Sequence, residues 1–258
     1  MFHRFASIYD IVNGGKDYDR EAAFVSAALQ KESIGPRTLL EIGCGTGRHS
    51  LAFATLGFDV TGVELSEDMI RIAHNRKIKA DPGLRSKLNF YHGDARSLEL
   101  GRKYDVCVAL FNVICYQTTN EDVAALLASV RSHLNPGGLF AFDAWYGPGA
   151  LTHGLVARVE EFRSADWHII RTISPQHLPN EDIGRLHYRF FVWPEGSQPD
   201  RTKVEMFEEC HPMRYFFAPE LRLFAAQSGF DICGIQEWMT GEAPKLDSWR
   251  IFVVARAQ

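Results

Sequence analysis

The residues best placed to do chemistry in this sequence form a glycine-rich run headed by a carboxylate. Glu41 is followed by glycine at every second position, at Gly43, Gly45 and Gly47, with Cys44 between the first two. Glycine has no Cβ and tolerates positive φ, so the backbone of such a run can lie directly against a ligand. An apolar stretch before the run and a predicted helix after it are typical of a site for a nucleotide-like cofactor.

The spacing of the glycines limits which cofactor the turn can bind. The dinucleotide fingerprint G-x-G-x-x-G is absent, because the third residue after Gly45 is Arg48. A P-loop is excluded, since no Gly-Lys-Ser/Thr follows the turn. Glu41 would repel a phosphate and attract a cation. The spacing therefore disfavours a pyrophosphate, and a tight turn without a ligand stays open as the alternative.

Two further carboxylates lie where they can reach the same ligand. Glu64 ends a predicted second strand, residues 58–64, about twenty residues beyond Gly43, the offset at which an acidic side chain can accept both ribose hydroxyls. Asp94 follows a predicted third strand, residues 88–92. Ligands of parallel sheets bind at the carboxyl ends of the strands, so we expect both carboxylates at one edge of the sheet.

The pattern E-x-G-x-G-x-G resembles motif I of the class I S-adenosylmethionine-dependent methyltransferases. The cofactor of that family carries an ammonium and a sulfonium and no phosphate. The resemblance implies S-adenosylmethionine as the cofactor of this chain and Asp94 as the residue that binds the adenine amino group. The predicted cofactor-binding residues are Tyr18, Glu41, Gly43, Cys44, Gly45, Gly47, Glu64, Leu65, Asp94, Ala95 and Phe111.

A narrower resemblance is to the N,N-dimethyltransferases that act on dTDP-linked amino sugars in macrolide pathways. It covers roughly the first 150 residues, and it thins out through the segment that follows. It implies a small-molecule amine as the acceptor, with a nucleotide-linked amino sugar as the first choice. The segments that carry it are Tyr9-Asp10, Gly14-Gly15-Lys16-Asp17-Tyr18, 98–104 and 118–121.

The order of predicted elements defines the fold class as α/β. Strands and helices alternate through residue 143, which predicts a doubly wound, mostly parallel sheet, and the resemblance implies seven strands in a Rossmann-like methyltransferase fold. Asn120 is predicted to cap the last helix of this part, and residues 135–138 to end it. Residues 151–214 instead alternate apolar and polar, which predicts antiparallel strands inserted after the fifth strand.

This change of pattern predicts that different parts of the chain bind the cofactor and the substrate. Residues 1–150 and 215–258 are assigned to the cofactor-binding domain, and residues 151–214 to an inserted substrate-binding segment. Trp145 and Tyr146 follow the fifth strand directly, where their rings suit a sugar or a base. Arg171 lies within the insertion, where its guanidinium fork suits a diphosphate. We therefore predict these three residues as substrate contacts.

Methyl transfer from a sulfonium requires little acid–base catalysis. It is an in-line displacement, so positioning and desolvation supply much of the rate. An amine must only be presented neutral, and a base is helpful without being obligatory. Tyr9, whose ring can close over the cofactor, and His177 are the predicted catalytic residues, with His187 and His211 as alternative bases.

Composition agrees with an ordinary cytoplasmic enzyme. The 258 residues carry a formal net charge of -4, which offers no electrostatic footprint for nucleic acid or an anionic membrane. No apolar run is long enough to span a bilayer, and the N-terminus has no apolar leader region. The five cysteines contain no C-x-x-C and are interpreted as reduced thiols, so no metal site is expected. We expect a monomer or a homodimer.

Two other functions stay open from the sequence. One is a methyltransferase that acts on a different small amine or on a hydroxyl group. The other is a cofactor-binding protein without catalytic activity. The intact acidic set of Glu41, Glu64 and Asp94 argues against the second.

Overall fold

The fold contains a seven-stranded sheet covered by helices and a separate four-stranded sheet. A computed structural model describes residues 3–32, 35–197 and 203–258. The strands of the large sheet are β1 (Thr38–Ile42), β2 (Asp59–Glu64), β3 (Leu88–His92), β4 (Tyr104–Ala109), β5 (Leu134–Trp145), β10 (Phe230–Glu237) and β11 (Arg250–Ala257). The helices are α1 (His3–Val12), α2 (Tyr18–Glu32), α3 (Arg48–Thr55), α4 (Glu67–Lys79), α5 (Pro82–Arg85), α6 (Asn120–Ser132), α7 (Gly147–His153) and α8 (Ala218–Gln227).

The large sheet is mostly parallel, and its strand order is β10-β11-β5-β4-β1-β2-β3. Strands β1 to β5 pair in parallel, whereas β11 pairs antiparallel to both β5 and β10. The prediction of a doubly wound, mostly parallel seven-stranded sheet is confirmed. The strand order reverses between β4 and β1, so a crevice opens at the carboxyl ends of these two strands, where open sheets bind their ligands.

Both faces of this sheet are buried, which explains the nearly continuous apolar strands. Alternate residues of β4 pack on opposite sides, with Val106 and Val108 in one cluster and Cys107 and Ala109 in the other. Helices α2 and α3 cover the first side, and α6 and α8 cover the second. The helices therefore fix the carboxyl ends of the central strands in place, which is what positions the site.

The second sheet is antiparallel, with the order β6-β7-β8-β9. Its strands are β6 (Arg158–Arg163), β7 (Trp167–Leu178), β8 (Ile183–Pro194) and β9 (Glu205–Arg214). The predicted antiparallel strands after the fifth strand are confirmed. Helix α1 packs on this sheet, with the ring centroids of Phe5 and Phe190 5.2 Å apart, and it also contacts Met69 of α4. The N-terminal helix thus lies between the two sheets.

Two local predictions were wrong. The N-cap of α6 is Thr119 rather than Asn120, because the Thr119 hydroxyl accepts a hydrogen bond from Asp122 N at 3.1 Å. Residues 135–138 do not end the helix but interrupt the start of β5. Leu134 already pairs with Tyr104, and the chain then bulges before regular pairing resumes. Pairing with a distant strand overrides the turn preference of Pro and Gly here.

Among the helices of the described ranges, none is both long and apolar enough to cross a membrane.

Candidate functional site

The glycine run forms a tight turn between β1 and α3. Gly43, Gly45 and Gly47 all have positive φ, at 64°, 55° and 77°. A Cβ on Gly43 would lie 2.6 Å from Val113, and one on Gly47 would lie 2.9 Å from the Phe90 ring. A Cβ on Gly45 would have no described atom within 4 Å. Two of the glycines are therefore required by packing, whereas Gly45 faces open space that a ligand can fill.

Glu64 ends β2 directly beside this turn. One carboxylate oxygen accepts a hydrogen bond from Gly45 N at 3.0 Å, and the other accepts one from Ser66 N at 2.9 Å. Burial raises the pKa of Glu64. Each carboxylate oxygen has a second lone pair, so two hydroxyl groups can still be accepted. The geometry suits the predicted role of Glu64 at a ribose. Cys44 N donates to Val63 O at 3.0 Å, which ties the turn to β2, and Leu65 is exposed.

Asp94 follows β3 as predicted, one strand further along the sheet. Gly93 N donates to Glu64 O at 3.0 Å, so the ends of β2 and β3 are joined. The side chain of Asp94 accepts a hydrogen bond from Arg96 N at 2.9 Å and pairs with the Arg96 guanidinium. The hydrogen bonds from Arg96 hold the pKa of Asp94 below its ordinary value. Asp94 is therefore an ionised acceptor at the carboxyl edge, and Ala95 begins the short 3-10 turn that follows it.

Glu41 lies behind the turn rather than on its open side. It is 1% exposed, and Ser50 donates a hydrogen bond to it. His49 Nδ1 is 3.9 Å from its other oxygen. Burial raises the pKa of Glu41 to about 8. These contacts hold Glu41 behind the glycine turn. Its direct contact with the cofactor stays a prediction.

A series of buried ion pairs runs from Lys16, just before α2, through Glu21 to His49, which lies beside Glu41. Lys16 pairs with Glu21, and Glu21 lies 2.9 Å from His49 Nε2. Burial lowers the pKa of Lys16, whose ammonium lies 4.4 Å from the centre of the Phe111 ring. Glu21 and His49 were not predicted as site residues. A histidine two positions after Gly47 was the available signal, but its partner Glu21 is 28 residues away.

Helix α1 lies over the turn. Thr46 donates to Asp10 through its hydroxyl at 2.7 Å, and Arg76 contacts both Asp10 and the carbonyl of Thr46. Burial raises the pKa of Tyr9 well above its ordinary value, and the neighbouring Tyr18, Tyr116 and Glu64 raise it further. The charges that act on Tyr9 come from groups around the glycine turn, and closure of its ring over the cofactor stays a prediction.

The chain leaves β4 through a strained turn that contains the predicted residue Phe111. Phe111 and Asn112 have positive φ, at 68° and 63°, a conformation that costs non-glycine residues about 1 to 3 kcal/mol. Asn112 N donates to both oxygens of the fully buried Asp143, each at 3.2 Å. Arg250 lies 3.4 Å from the same carboxylate. Asp143 and Arg250 were not predicted, because Asp143 meets Asn112 and Arg250 only in the folded sheet.

The predicted acceptor residues do not form one cluster. Trp145 is 7% exposed, packs against Trp249 with 5.6 Å between ring centroids, and belongs to the main core. Tyr146 is half-buried, and its backbone pairs with Trp249 and Phe216. Arg171 is paired with Glu160 on β6. Contact of these side chains with an acceptor stays a prediction.

The three histidines considered as bases have different surroundings. His177 Nε2 lies 3.2 Å from the hydroxyl of Tyr215, and its catalytic role stays a prediction. His187 is exposed. His211 is 3% exposed, and its Nδ1 lies 2.8 Å from the hydroxyl of Tyr116, in the segment after β4. Of the three, His211 is the one that joins the second sheet to the carboxyl edge of the first.

A mostly parallel sheet with a reversed last strand, a glycine turn after β1 and a carboxylate at the end of β2 define the class I methyltransferase fold. A family model described as a methyltransferase domain matches residues 39–138. The dTDP-3-amino-3,4,6-trideoxy-alpha-D-glucopyranose N,N-dimethyltransferase of Streptomyces venezuelae is 35% identical over 230 residues, which are 88% of this chain and 90% of that protein.

Other similar proteins are also methyltransferases. The dTDP-3-amino-3,6-dideoxy-alpha-D-glucopyranose N,N-dimethyltransferase of Streptomyces fradiae is 34% identical over 59% of this chain and 57% of that protein. The crystal structure of Streptomyces venezuelae DesVI has a TM-score of 0.79 at 25% identity and covers 98% of both chains. A methyltransferase from Clostridium acetobutylicum, at 19% identity, shares the fold with a TM-score of 0.77. The chain belongs to the S-adenosylmethionine-dependent methyltransferases and is an enzyme of that class.

The residues of the site fit S-adenosylmethionine. Among the buried polar atoms that have no hydrogen-bond partner within the described residues, two belong to this site: the hydroxyl of Tyr18, a donor, and Oδ1 of Asn112, an acceptor. Buried polar groups in native proteins are normally paired, so such atoms indicate a ligand. The methionine end of the cofactor carries a carboxylate, which needs donors, and an ammonium, which needs acceptors. Lys16 and Tyr18 would supply donors to this end and Asn112 an acceptor, while Glu64 would hold the ribose.

Proposed function

We propose that this enzyme transfers methyl groups from S-adenosylmethionine to the amino group of an amino sugar carried on dTDP. Support comes from the Streptomyces venezuelae relative, which is named as an N,N-dimethyltransferase of a dTDP-linked amino sugar and which matches over 90% of its length. The observation in the structure that carries the proposal is the position of Tyr9. It precedes Asp10, which accepts a hydrogen bond from Thr46 of the glycine turn, and its ring contacts Phe5 on the side of α1 that packs on the second sheet.

The chemistry requires the chain mainly to position its ligands. When bound, the cofactor supplies an electrophilic methyl group on a sulfonium. Helix α1, held to the turn by Asp10 and Thr46, closes one side of the site and excludes water. Tyr9, Tyr18 and Tyr116 give the site aromatic walls that tolerate a neighbouring positive charge. The displacement itself then needs only a neutral amine held in line with the methyl group.

The nucleotide part of the acceptor has a matching surface on the second sheet. Arg171 faces the same side of β7 as Ile169 and Ile173, which are buried, and its guanidinium lies 5.1 Å from the centres of the Phe162 and Tyr188 rings. Arg158 contacts Glu160 at 3.0 Å, beside Arg171. A diphosphate would replace Glu160 as the partner of these two cations.

The test is turnover with a defined acceptor. The purified protein is incubated with S-adenosylmethionine and dTDP-3-amino-3,4,6-trideoxyglucose, and products are identified by mass spectrometry. The same sugar without dTDP, glycine and a simple phenol are run in parallel. We expect methylation of the nucleotide sugar amine at a rate well above that of the others. Binding of the cofactor without methylation of any amine would contradict the proposal.

We further propose that the acceptor is a nucleotide sugar rather than another small amine, that the enzyme is cytoplasmic, and that it is a monomer or a homodimer. In the same proposal, residues 1–150 and 215–258 bind the cofactor and the inserted segment 151–214 binds the acceptor.

A further inference from the structure

Consecutive residues after β4 have a backbone conformation that only glycine adopts without strain. Phe111 and Asn112 have φ of 68° and 63°. Positive φ is rare for a residue as bulky as Phe111. Strain of this kind persists only where the surrounding structure enforces it, and it is concentrated at functional sites. The contacts of this strained turn therefore indicate what it is used for.

The two neighbours of Asn112 connect the strained turn to the cofactor site. The centre of the Phe111 ring lies 4.4 Å from the ammonium of Lys16, just before α2. Val113 packs so closely on the glycine turn that a Cβ on Gly43 would lie 2.6 Å from its side chain. Asn112 thus lies between one residue that contacts the segment before α2 and another that contacts the glycine turn.

The side chain of Asn112 carries a buried acceptor that no described residue uses. Asn112 is 8% exposed, and its Oδ1 has no hydrogen-bond partner among the described residues. A buried acceptor without a partner indicates a donor on a ligand. The groups of S-adenosylmethionine that can donate are its ammonium, its ribose hydroxyls and its adenine amino group.

The order of the strands decides which of these donors is available to Asn112. Strand β1, which leads into the glycine turn, has β4 on one side and β2 followed by β3 on the other. Glu64 at the end of β2 suits the ribose, and Asp94 after β3 suits the adenine. Asn112 follows β4, on the opposite side of β1. The ammonium at the methionine end is therefore the donor that remains for Oδ1 of Asn112.

The carboxylate of Asp143, near the end of β5, holds the backbone of Asn112. Each of its oxygens accepts a hydrogen bond from Asn112 N, at 3.2 Å. Asp143 is fully buried, and Arg250 Nη1 lies 3.4 Å from one of the same oxygens. Burial raises the pKa of Asp143, while Arg250, the N–H of Asn112 and Lys16 oppose that rise. These contacts are made by protein groups alone, so they hold the strained turn before a ligand binds.

We propose that Asp143 is a positioning residue for the cofactor: it holds Asn112 in the left-handed conformation, in which Oδ1 of Asn112 accepts a hydrogen bond from the ammonium of the methionine end. The inference rests on the cofactor of the enzyme and not on the proposed acceptor, so it is tested without any acceptor present. It requires that Asp143 affect the cofactor only through Asn112.

The experiment compares a ligand that has the amino-acid end with one that lacks it. Calorimetry on the purified protein gives the Kd of S-adenosylhomocysteine and of methylthioadenosine, which has no amino-acid end. Asn112→Gly removes Oδ1 and relieves the strain of positive φ, whereas Asn112→Ala removes Oδ1 and keeps the strain. Asp143→Ala removes both accepting oxygens, and Asp143→Asn keeps one of them.

Asp105 provides the matched control at the opposite end of β4. Its carboxylate also accepts hydrogen bonds from backbone groups, those of Arg37 N and Thr38 N, each at 2.9 Å. Asp105→Ala should therefore lower the temperature of thermal unfolding. Because Asp105 is distant from the carboxyl edge of the sheet, both ligands should bind to this variant within about twofold of the unchanged protein.

We expect both Asn112 variants to bind S-adenosylhomocysteine about tenfold or more weakly, because a charged donor loses its acceptor, and methylthioadenosine within about twofold. Asn112→Gly should unfold about 2 to 4 °C above Asn112→Ala, since glycine adopts positive φ without strain. Asp143→Ala should weaken binding of S-adenosylhomocysteine about tenfold and Asp143→Asn about threefold, again with methylthioadenosine unchanged.

Double variants separate positioning from a general structural role. In a protein that already carries Asn112→Gly, either Asp143 substitution should change the affinity for S-adenosylhomocysteine by less than about twofold, because the group that Asp143 positions is gone. Additive losses overturn the inference, as do equal losses for the two ligands or full affinity for S-adenosylhomocysteine in the single variants. If Asp143→Ala yields no folded protein, Asp143→Asn provides the same comparison with the same outcomes.

Discussion

Glu64 has contacts that match its expected role better than any other carboxylate of the site. It is held by two backbone N–H groups, so its position does not depend on a bound ligand. We expect Glu64→Ala to weaken binding of S-adenosylmethionine by about 1.5 to 3 kcal/mol, because two ribose hydroxyls lose a charged acceptor. Calorimetry on the purified variant measures this. Glu208→Ala, on the second sheet, is the control, and unchanged affinity in Glu64→Ala would remove Glu64 from the site.

Tyr18 allows a second test of cofactor binding by a single residue. Its hydroxyl is buried and has no hydrogen-bond partner within the described part of the chain. Burial raises its pKa to about 12, so the group stays a donor at any working pH. If the hydroxyl binds the cofactor, Tyr18→Phe should lower cofactor affinity about tenfold.

The same substitution should leave the ligand-free protein as stable as before or more stable, because an unpaired buried polar group contributes nothing to folding. Thermal unfolding without and with S-adenosylmethionine gives both quantities. A parallel loss of stability in the ligand-free protein would show that the hydroxyl has a structural partner instead.

At the scale of elements, α1 covers the glycine turn through one carboxylate. Asp10 accepts from the Thr46 hydroxyl and pairs with Arg76, while the apolar side of α1 packs on the second sheet. We expect Asp10→Ala to loosen α1, seen as faster hydrogen exchange of residues 4–12, and to increase the dissociation rate of S-adenosylmethionine about fivefold or more. Ser7→Ala, at an exposed position of the same helix, is the control. Unchanged exchange in α1 would mean that apolar packing alone holds the helix.

The second sheet should carry the acceptor and leave the cofactor untouched. Arg171→Met is expected to raise the KM for the nucleotide sugar about tenfold while cofactor affinity stays within about twofold, since distant subsites are independent. Arg189 lies on the opposite face of the same sheet, where it is exposed and pairs with Glu208 at 2.6 Å. Arg189→Met therefore serves as the matched control. If Arg171→Met loses cofactor binding and keeps its KM for the sugar, the division of labour is wrong.

Across the whole molecule, the buried Glu41 couples stability to pH. Burial raises its pKa from 4.5 to about 8. The unfolded chain releases this proton near pH 4.5, whereas the folded protein keeps it until about pH 8, so the contribution of Glu41 to stability is full below pH 4.5 and is lost as pH rises through about 8. Glu41→Gln cannot ionise and removes this dependence.

The free energy of unfolding of Glu41→Gln, relative to the unchanged protein, should therefore rise between about pH 5 and pH 8 by at most about 1.4 kcal/mol for each pH unit. Urea unfolding without cofactor, at a series of pH values, measures the difference. The exposed Glu208→Gln should show no such trend, and a flat difference for Glu41→Gln would show that Glu41 is ionised in the folded state.

The sequence by itself determined the sheet, its predicted strands and the cofactor turn. These features are local: alternating or continuous apolar runs set the strands, and glycine at Gly43, Gly45 and Gly47 is needed because each has positive φ. Glu64 and Asp94 were found because each directly follows or ends a strand, and the carboxyl ends of neighbouring parallel strands must share an edge. Local spacing therefore sufficed to predict that Glu64 and Asp94 lie at one edge of the sheet, next to the glycine turn.

Only the tertiary structure decided which residues from distant parts of the chain meet near the site. Tyr116 and His211 are 95 residues apart, and Asn112 meets Asp143 across 31 residues, so no local pattern connects them. The sequence equally could not show that Trp145 packs in the core, because an aromatic residue at the end of a strand suits a ligand and a core alike. Which of the two it meets depends on where the second sheet and α1 pack, and that is decided by burial between elements far apart in the chain.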